Sequence, residues 1–179
     1  MDPIQRVATR EVYRNNWMTV REDAIRRADG SEGIYGVVDK PTYALIIPLD
    51  GERVLLVDQF RYPVGERRWE FPQGTAPGLA EVPPTEVARR ELREETGLRA
   101  ETVTELGRLE VAPGMSSQRG HVYLATDLTE GAPEREIEEQ DMTTAWFARA
   151  DVEKMIATGG ITDAQTVAAY TLLLLHERR

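Results

Sequence analysis

From Trp17 onward, apolar positions come in short runs: "WMTVREDAIRR", which alternates loosely, the β-rich "GIYGVV" and "TYALIIP", and "RVLLVDQF". Runs of this length, rich in β-branched residues and bounded by Gly, Pro and Asp, predict strands. Asp50-Gly51 between the last two predicts a tight hairpin, and the front third therefore predicts antiparallel sheet. After "RRWEFPQG" and the Pro/Gly-rich loop "GTAPGLAEVPP" the period lengthens. From about Pro84, a helical pattern turns Val87, Leu92 and Thr96 towards the core, and Gly97 is its natural stop. "TVTELGRLEV" and "GHVYLATDL" predict two further strands, followed by an acidic loop, "TEGAPEREIEEQD", and a last strand, "TTAWFAR". A short helix, "ADVEKMIATGG", and a terminal helix, "TDAQTVAAYTLLLLHE", capped by Thr162 or Asp163, complete the pattern. Strands mixed with three helices predict an α/β (α+β) fold, a mixed β-sheet with helices packed on its faces.

With 179 residues, 41% of them apolar, and no repeat or linker, the chain suits one domain over residues 1–179, with residues 1–40 as a β-rich N-terminal segment. The absence of cysteine excludes disulfides, thiolate metal sites and cysteine nucleophiles. A formal net charge of -9 argues against a general nucleic-acid or membrane-surface binder, which would show a basic face. The N-terminus has no apolar h-region and "LLLL" at 172–175 is too short to span a bilayer, so the expectation is a soluble cytoplasmic protein. No P-loop, GxGxxG or zincin motif occurs. Ser116, Ser117 and His121 lack a nucleophile elbow, and His176 reads as surface.

The stretch that asks for an explanation is "RRELREETGL", residues 89–98. On a helix, Glu91, Glu94 and Glu95 stand at i, i+3 and i+4, so three like charges project from neighbouring turns of one side. One reading is a solvated face laced with ion pairs, Glu86 with Arg89 or Arg90 and Arg90 with Glu94. The other is a hard divalent cation, which takes oxygen ligands and turns the repulsion into binding. Spacing alone favours the first.

The surrounding residues shift that balance. A glycine-containing loop entered from a strand, then a helix reading Arg-Glu-Leu-x-Glu-Glu-x-Gly-Leu, resembles the signature of the Nudix hydrolases, spelled here "RELREETGL" from Arg90 to Leu98. Gly74 stands sixteen positions before Arg90 where the family pattern has fourteen, so the loop is two residues longer. The early glutamate slot holds Val82, with Glu81 beside it. The resemblance implies a Nudix-type α/β/α sandwich that hydrolyses the pyrophosphate bond of a nucleoside diphosphate linked to another moiety, with Mg²⁺ or Mn²⁺ as cofactor. It implies Glu91 and Glu95 as metal ligands facing a solvent-filled site, Glu94 as ligand or assistant through water, a backbone carbonyl at Gln73 or Gly74 joining them, and Arg90 orienting a carboxylate.

"DQFRYPVGERRWEFPQG", the tail "GGITDAQTVAAYTLLLL" and Pro113, fifteen residues after Leu98, resemble the ADP-ribose pyrophosphatase branch. That implies ADP-ribose as substrate, AMP and ribose 5-phosphate as products, and a loop glutamate as base: Glu139, or its neighbour Glu138, in "EREIEEQDM". The competing reading is an exposed acidic loop, with the base on the helix. The same branch implies a homodimer built through the N-terminal segment, Trp17 and Arg21 helping to hold the nucleoside, and Arg61 and Glu70 touching substrate. Trp69, Trp146 and Tyr35 read as core or interface residues. Gln73 in "WEFPQG" departs from the small residue usual in the branch and is shared with dinucleoside polyphosphate and RNA 5′-end hydrolases, which form the alternative. A non-catalytic module sensing ADP-ribose or NAD is the second alternative.

Overall fold

Every residue of β1 (Ile4–Arg14) is exposed, and this explains why its sequence shows no strand alternation. A strand advertises itself by hiding one face, and this one hides neither within the chain. It pairs antiparallel with β2 (Thr19–Arg27), which pairs with β3 (Glu32–Asp39), forming a three-stranded sheet in the order β1-β2-β3. The computed structural model describes residues 2–76, 82–135 and 137–178, apart from the side chain of Glu138.

The second sheet forms around β4 (Tyr43–Asp50), whose first six residues are all buried. β4 turns at Asp50-Gly51 into β5 (Arg53–Arg61), as the hairpin signal predicts, with Gly51 at φ 57°. Two short strands lie inside the stretch read as the approach to the loop: β6 (Glu66–Glu70), paired with β5, and β7 (Gln73–Thr75), paired with β4. β8 (Arg99–Glu110), β9 (Arg119–Thr129) and β10 (Thr143–Ala148) complete the order β10-β5-β4-β9-β8. β4 and β9 run parallel, whereas the other pairings of this sheet are antiparallel, so the sheet is mixed.

Alternation along β4 sorts two apolar clusters onto opposite faces. Tyr43, Leu45 and Ile47 join Val152 of α2 (Arg149–Thr158) and Ala169, Tyr170 and Leu173 of α3 (Ala164–His176). Ala44 and Ile46 join Val87, Ala88 and Leu92 of α1 (Pro84–Thr96). Helices on both faces of a mixed sheet make the expected α/β/α sandwich. α3 is capped by Asp163, which accepts from the Thr166 amide at 2.8 Å. In turn, the Phe71 amide donates to Thr166 Oγ1 at 3.0 Å and ties the approach to β7 onto that helix.

α1 begins with Pro84, whose missing N–H costs nothing in a first turn, and stops at Gly97 in the left-handed region, φ 78°. Its buried side differs from the apolar stripe expected. Thr96 is only half-buried, its hydroxyl donating to the Leu92 carbonyl at 2.5 Å, while Glu91 and Glu95 are buried beside Leu92. Among the described residues no helix is long and apolar enough to cross a membrane.

Candidate active site

α1 and β7 bring the acidic residues together. Glu91 is 7% exposed and Glu95 1%, so the expectation that both face a solvent-filled site is corrected. The helix lays its acidic side against the β7 backbone, and Gly74 makes this close approach possible, because a Cβ there would fall on the Glu91 carboxylate. Arg90 ties the two elements: its Nη2 donates to the Thr75 carbonyl at 2.6 Å and to Glu91 Oε1 at 2.7 Å, and its Nε lies 3.3 Å from Glu94 Oε2. Glu94 is further held by Arg93 at 3.1 Å.

Two buried carboxylates this close cannot ionise freely. The Glu91 pKa is pushed up to about 7, first by burial and then by Glu94 and Glu139, with Arg90 opposing. Glu95 is raised well above the usual carboxylate range by burial, with Glu91 and Glu139 adding, against Arg61 and the Gln73 backbone N–H. Glu95 Oε2 is buried without a hydrogen-bond partner. Glu139, half-buried in the short 3-10 helix Ile137–Glu139, is thus near enough to bear on both helix carboxylates.

Among the described residues no three His, Cys, Asp or Glu side chains stand close enough as they lie to enclose an ion. Even so, the donor set fits a hard divalent cation. Its members are oxygen ligands, two are buried, one presents an orphaned oxygen, and their mutual repulsion would become attraction around a dication.

A cavity of about 540 Å³ opens beside this centre, reaching from Gln73 and Gly74 past Arg61 and Glu70 to Lys40, Tyr43, Gln118 and Asp163. Glu70, 2% exposed, accepts from Arg61 Nε on both oxygens, at 2.9 and 3.0 Å, and from Gln73 Nε2 at 3.1 Å. The Tyr43 hydroxyl is buried without a partner, and burial, with Asp163 adding, pushes its pKa up to about 12.

Comparison with known proteins agrees with this arrangement. The NUDIX domain family profile matches residues 39–170, and that of the nucleoside diphosphate sugar hydrolase N-terminal domain matches residues 4–38. The chain belongs to the Nudix family. An ADP-ribose pyrophosphatase of Mycobacterium tuberculosis is 38% identical over 151 residues, covering 83% of this chain and 72% of that protein. The ADP-ribose pyrophosphatase of Bacillus subtilis is 26% identical over 173 residues, covering 96% and 92%. A crystal structure of an ADP compounds hydrolase shares the fold, with a TM-score of 0.87 at 20% identity over 99% of this chain and 96% of that one. The protein is a Nudix hydrolase, of a family whose members depend on a divalent cation.

Of the residues singled out in this Nudix sequence, Glu91, Glu94, Glu95, Arg90 and Gly74 form one centre, Glu139 stands within its electrostatic reach, and Arg61 and Glu70 line the adjoining cavity. The side chain of Glu138 and all of Glu81 lie outside the described residues. Val82, in the early glutamate slot, packs against the apolar cluster under α1. Trp17, 64% exposed in the turn between β1 and β2, and Arg21 of β2, paired with Asp39 at 2.6 Å and with Asp23, do not line this cavity. Sequence reasoning missed Lys40, Tyr43 and Gln118 as cavity residues and saw Asp163 only as a cap. The Tyr43–Gly120 register, in which a glycine faces a bulky aromatic across β4 and β9, becomes a signal only once the strand pairing is known.

Proposed function

We propose that this Nudix hydrolase cleaves the pyrophosphate bond of ADP-ribose to AMP and ribose 5-phosphate, with Mg²⁺ or Mn²⁺ as cofactor. The observation that carries the reading is the burial of Glu91 and Glu95 against the β7 backbone at the Gly74 end of a polar cavity, with Glu139 within electrostatic reach of both. The identity to proteins named ADP-ribose pyrophosphatase supports the substrate. Glu91, Glu95 and the carbonyl of Gln73 or Gly74 would hold the cation, and Glu94 would support it directly or through water. When bound, the cation neutralises pyrophosphate charge and lowers the pKa of a coordinated water. Arg90 orients Glu91 and Glu94. Glu139, or Glu138 beside it, takes the proton from the attacking water as an oxygen–phosphorus bond forms and the bridging P–O bond breaks, the second phosphate leaving with the bridging oxygen.

Arg61, held on Glu70, faces the substrate's charge. Lys40, Tyr43 and Asp163 offer donors and an acceptor to sugar hydroxyls. Within the same reading, residues 1–179 act as one domain whose N-terminal segment, residues 1–40, builds a homodimer. Val7, Val12, Tyr13, Trp17 and Ile34, each more than half exposed, support a covered sheet in such an assembly, in which Trp17 and Arg21 would contact the nucleoside.

A panel of ADP-ribose, other nucleotide sugars and dinucleoside polyphosphates, with products identified, tests the substrate. AMP and ribose 5-phosphate from ADP-ribose at the highest kcat/KM is the expected result. Preference for a dinucleoside polyphosphate would instead favour the second reading, which Gln73 supports.

A further inference from the structure

The geometry points to Arg135 as a positioning residue that latches the Glu139 segment onto the C-terminal end of the box helix, and so sets where the base stands. The inference rests on the reading of Glu139 as the base. A helix leaves its last four carbonyls without partners inside the helix, and they must be satisfied elsewhere. At the end of α1, Gly97 N–H takes the Arg93 carbonyl at 2.8 Å, and the next two carbonyls are taken by the acidic loop itself. The Glu134 amide donates to the Glu94 carbonyl at 2.9 Å, and Arg135 Nε donates to the Glu95 carbonyl at 3.2 Å. The two backbones meet there without side chains between them. A Cβ on Gly97 would overlap the Gly131 carbonyl, and one on Gly131 would lie 2.9 Å from the Gly97 oxygen.

The same guanidinium reaches the far side of the loop. Arg135 Nη1 donates to the Met142 carbonyl at 2.5 Å, while Gln140 Nε2 donates to the Arg135 carbonyl at 2.9 Å and the Met142 amide to the Glu139 carbonyl at 2.9 Å. Met142 is 1% exposed, and Asp141 before it is held by Arg67 of β6 at 2.6 Å, so the far side is anchored in the body of the protein. Arg135 thus pins both ends of the short turn that carries Glu139, one to the helix bearing Glu91 and Glu95, the other to the start of β10. Lysine could do only part of this: a planar fork presents donors to two carbonyls at once, whereas an ammonium on a flexible stem reaches one of them without holding that geometry.

The test uses the full chain with Mg²⁺ and ADP-ribose, comparing Arg135→Gln, Arg135→Lys, Glu139→Gln and the double variant Arg135→Gln/Glu139→Gln. A displaced base costs turnover, and misplacements of about 1 Å cost up to ~100-fold. Arg135→Gln should therefore lower kcat on the order of 10-fold or more while KM and the Mg²⁺ requirement move less than about threefold, and Arg135→Lys should recover part of the loss. If Arg135 acts through Glu139, the double variant is no slower than Glu139→Gln alone. Hydrogen exchange should rise in peptides spanning residues 137–142 of Arg135→Gln and stay unchanged in β4 and β9.

Multiplicative losses in the double variant, a wild-type kcat for Arg135→Gln, or unchanged exchange in 137–142 each overturn the proposal while leaving Glu139 as base. A wild-type rate for Glu139→Gln overturns the base instead. The exchange measurement still decides the latch: a rise in 137–142 supports it, and no rise overturns it.

Discussion

Two segments of this chain are rich in glutamate, "RELREE" in α1 and "EREIEEQD" in the loop before β10, yet they are built for different work. The helix buries Glu91 and Glu95 against the β7 backbone, and Arg90 clamps Glu91 and Glu94 to it. In contrast, the loop carries Glu139 on a single short turn, half-buried, pinned at its ends by hydrogen bonds to carbonyls. Carboxylates fixed in a rigid element before any ligand arrives suit a cation that needs several oxygens at once. A carboxylate on a short connection, near the first group but not part of it, suits a proton transfer that matters only in the transition state.

The sharpest way to break this contrast is Glu95→Gln. Loss of a buried ligand should lower kcat by roughly three orders of magnitude, within the range that metal and electrostatic stabilisation supply, and raise the Mg²⁺ concentration needed for half activity. Metal titration of the rate checks it, and removal of divalent cations from the wild type should abolish hydrolysis. If the two segments were interchangeable, Glu139→Gln would show the same metal dependence. It should instead lower kcat on the order of 100-fold with little change in KM or metal requirement, as steady-state kinetics will show.

A third measurement asks what the buried pair costs without a cation. A carboxyl whose pKa is raised on folding contributes stability that is fully present below its unfolded pKa, near 4.5, and is lost as pH rises through the folded value, about 7 for Glu91. In metal-free buffer the Tm should fall by several degrees between pH 5 and 8, since 1 kcal/mol is worth ~2–4 °C in a chain of this size. Glu91→Gln should flatten that slope, and Mg²⁺ should largely restore the wild type at pH 8. The smallest effect concerns the cavity wall. Tyr43→Phe removes a hydroxyl that is buried without a partner, so the Tm should stay level or rise, while KM for ADP-ribose should increase a few-fold if the hydroxyl meets a sugar.

Much of the scaffold is legible because its signals are local. Pro84 and Gly97 mark α1 to the residue, Asp50-Gly51 marks the hairpin, and "YALIIP" reads as a buried strand on hydrophobicity alone. β1 is legible only as part of a β-rich segment over residues 1–40, since a strand exposed on both faces has no period to set its bounds. β6 and β7 are five and three residues long and lie around Phe71-Pro72, below the length at which alternation is visible. Val87 and Leu92 are buried as the helical period predicts, whereas the burial of Glu91 and Glu95 beside them is invisible in the period, because it ranks glutamate as polar whatever it packs against.

Within the sequence, the Nudix-like string from Arg90 to Leu98 carried the reaction class, and helical spacing set Glu91, Glu94 and Glu95 on one side whatever lies opposite. Only the tertiary structure decided the electrostatic state of that side. The close packing of Glu91 depends on Gly74, seventeen positions before it, and the charge around it on the loop that sets Glu139, 48 positions after it, nearby. A carboxylate's pKa and its value as a ligand are set by the dielectric and charges around it, and these are supplied by segments remote in the chain.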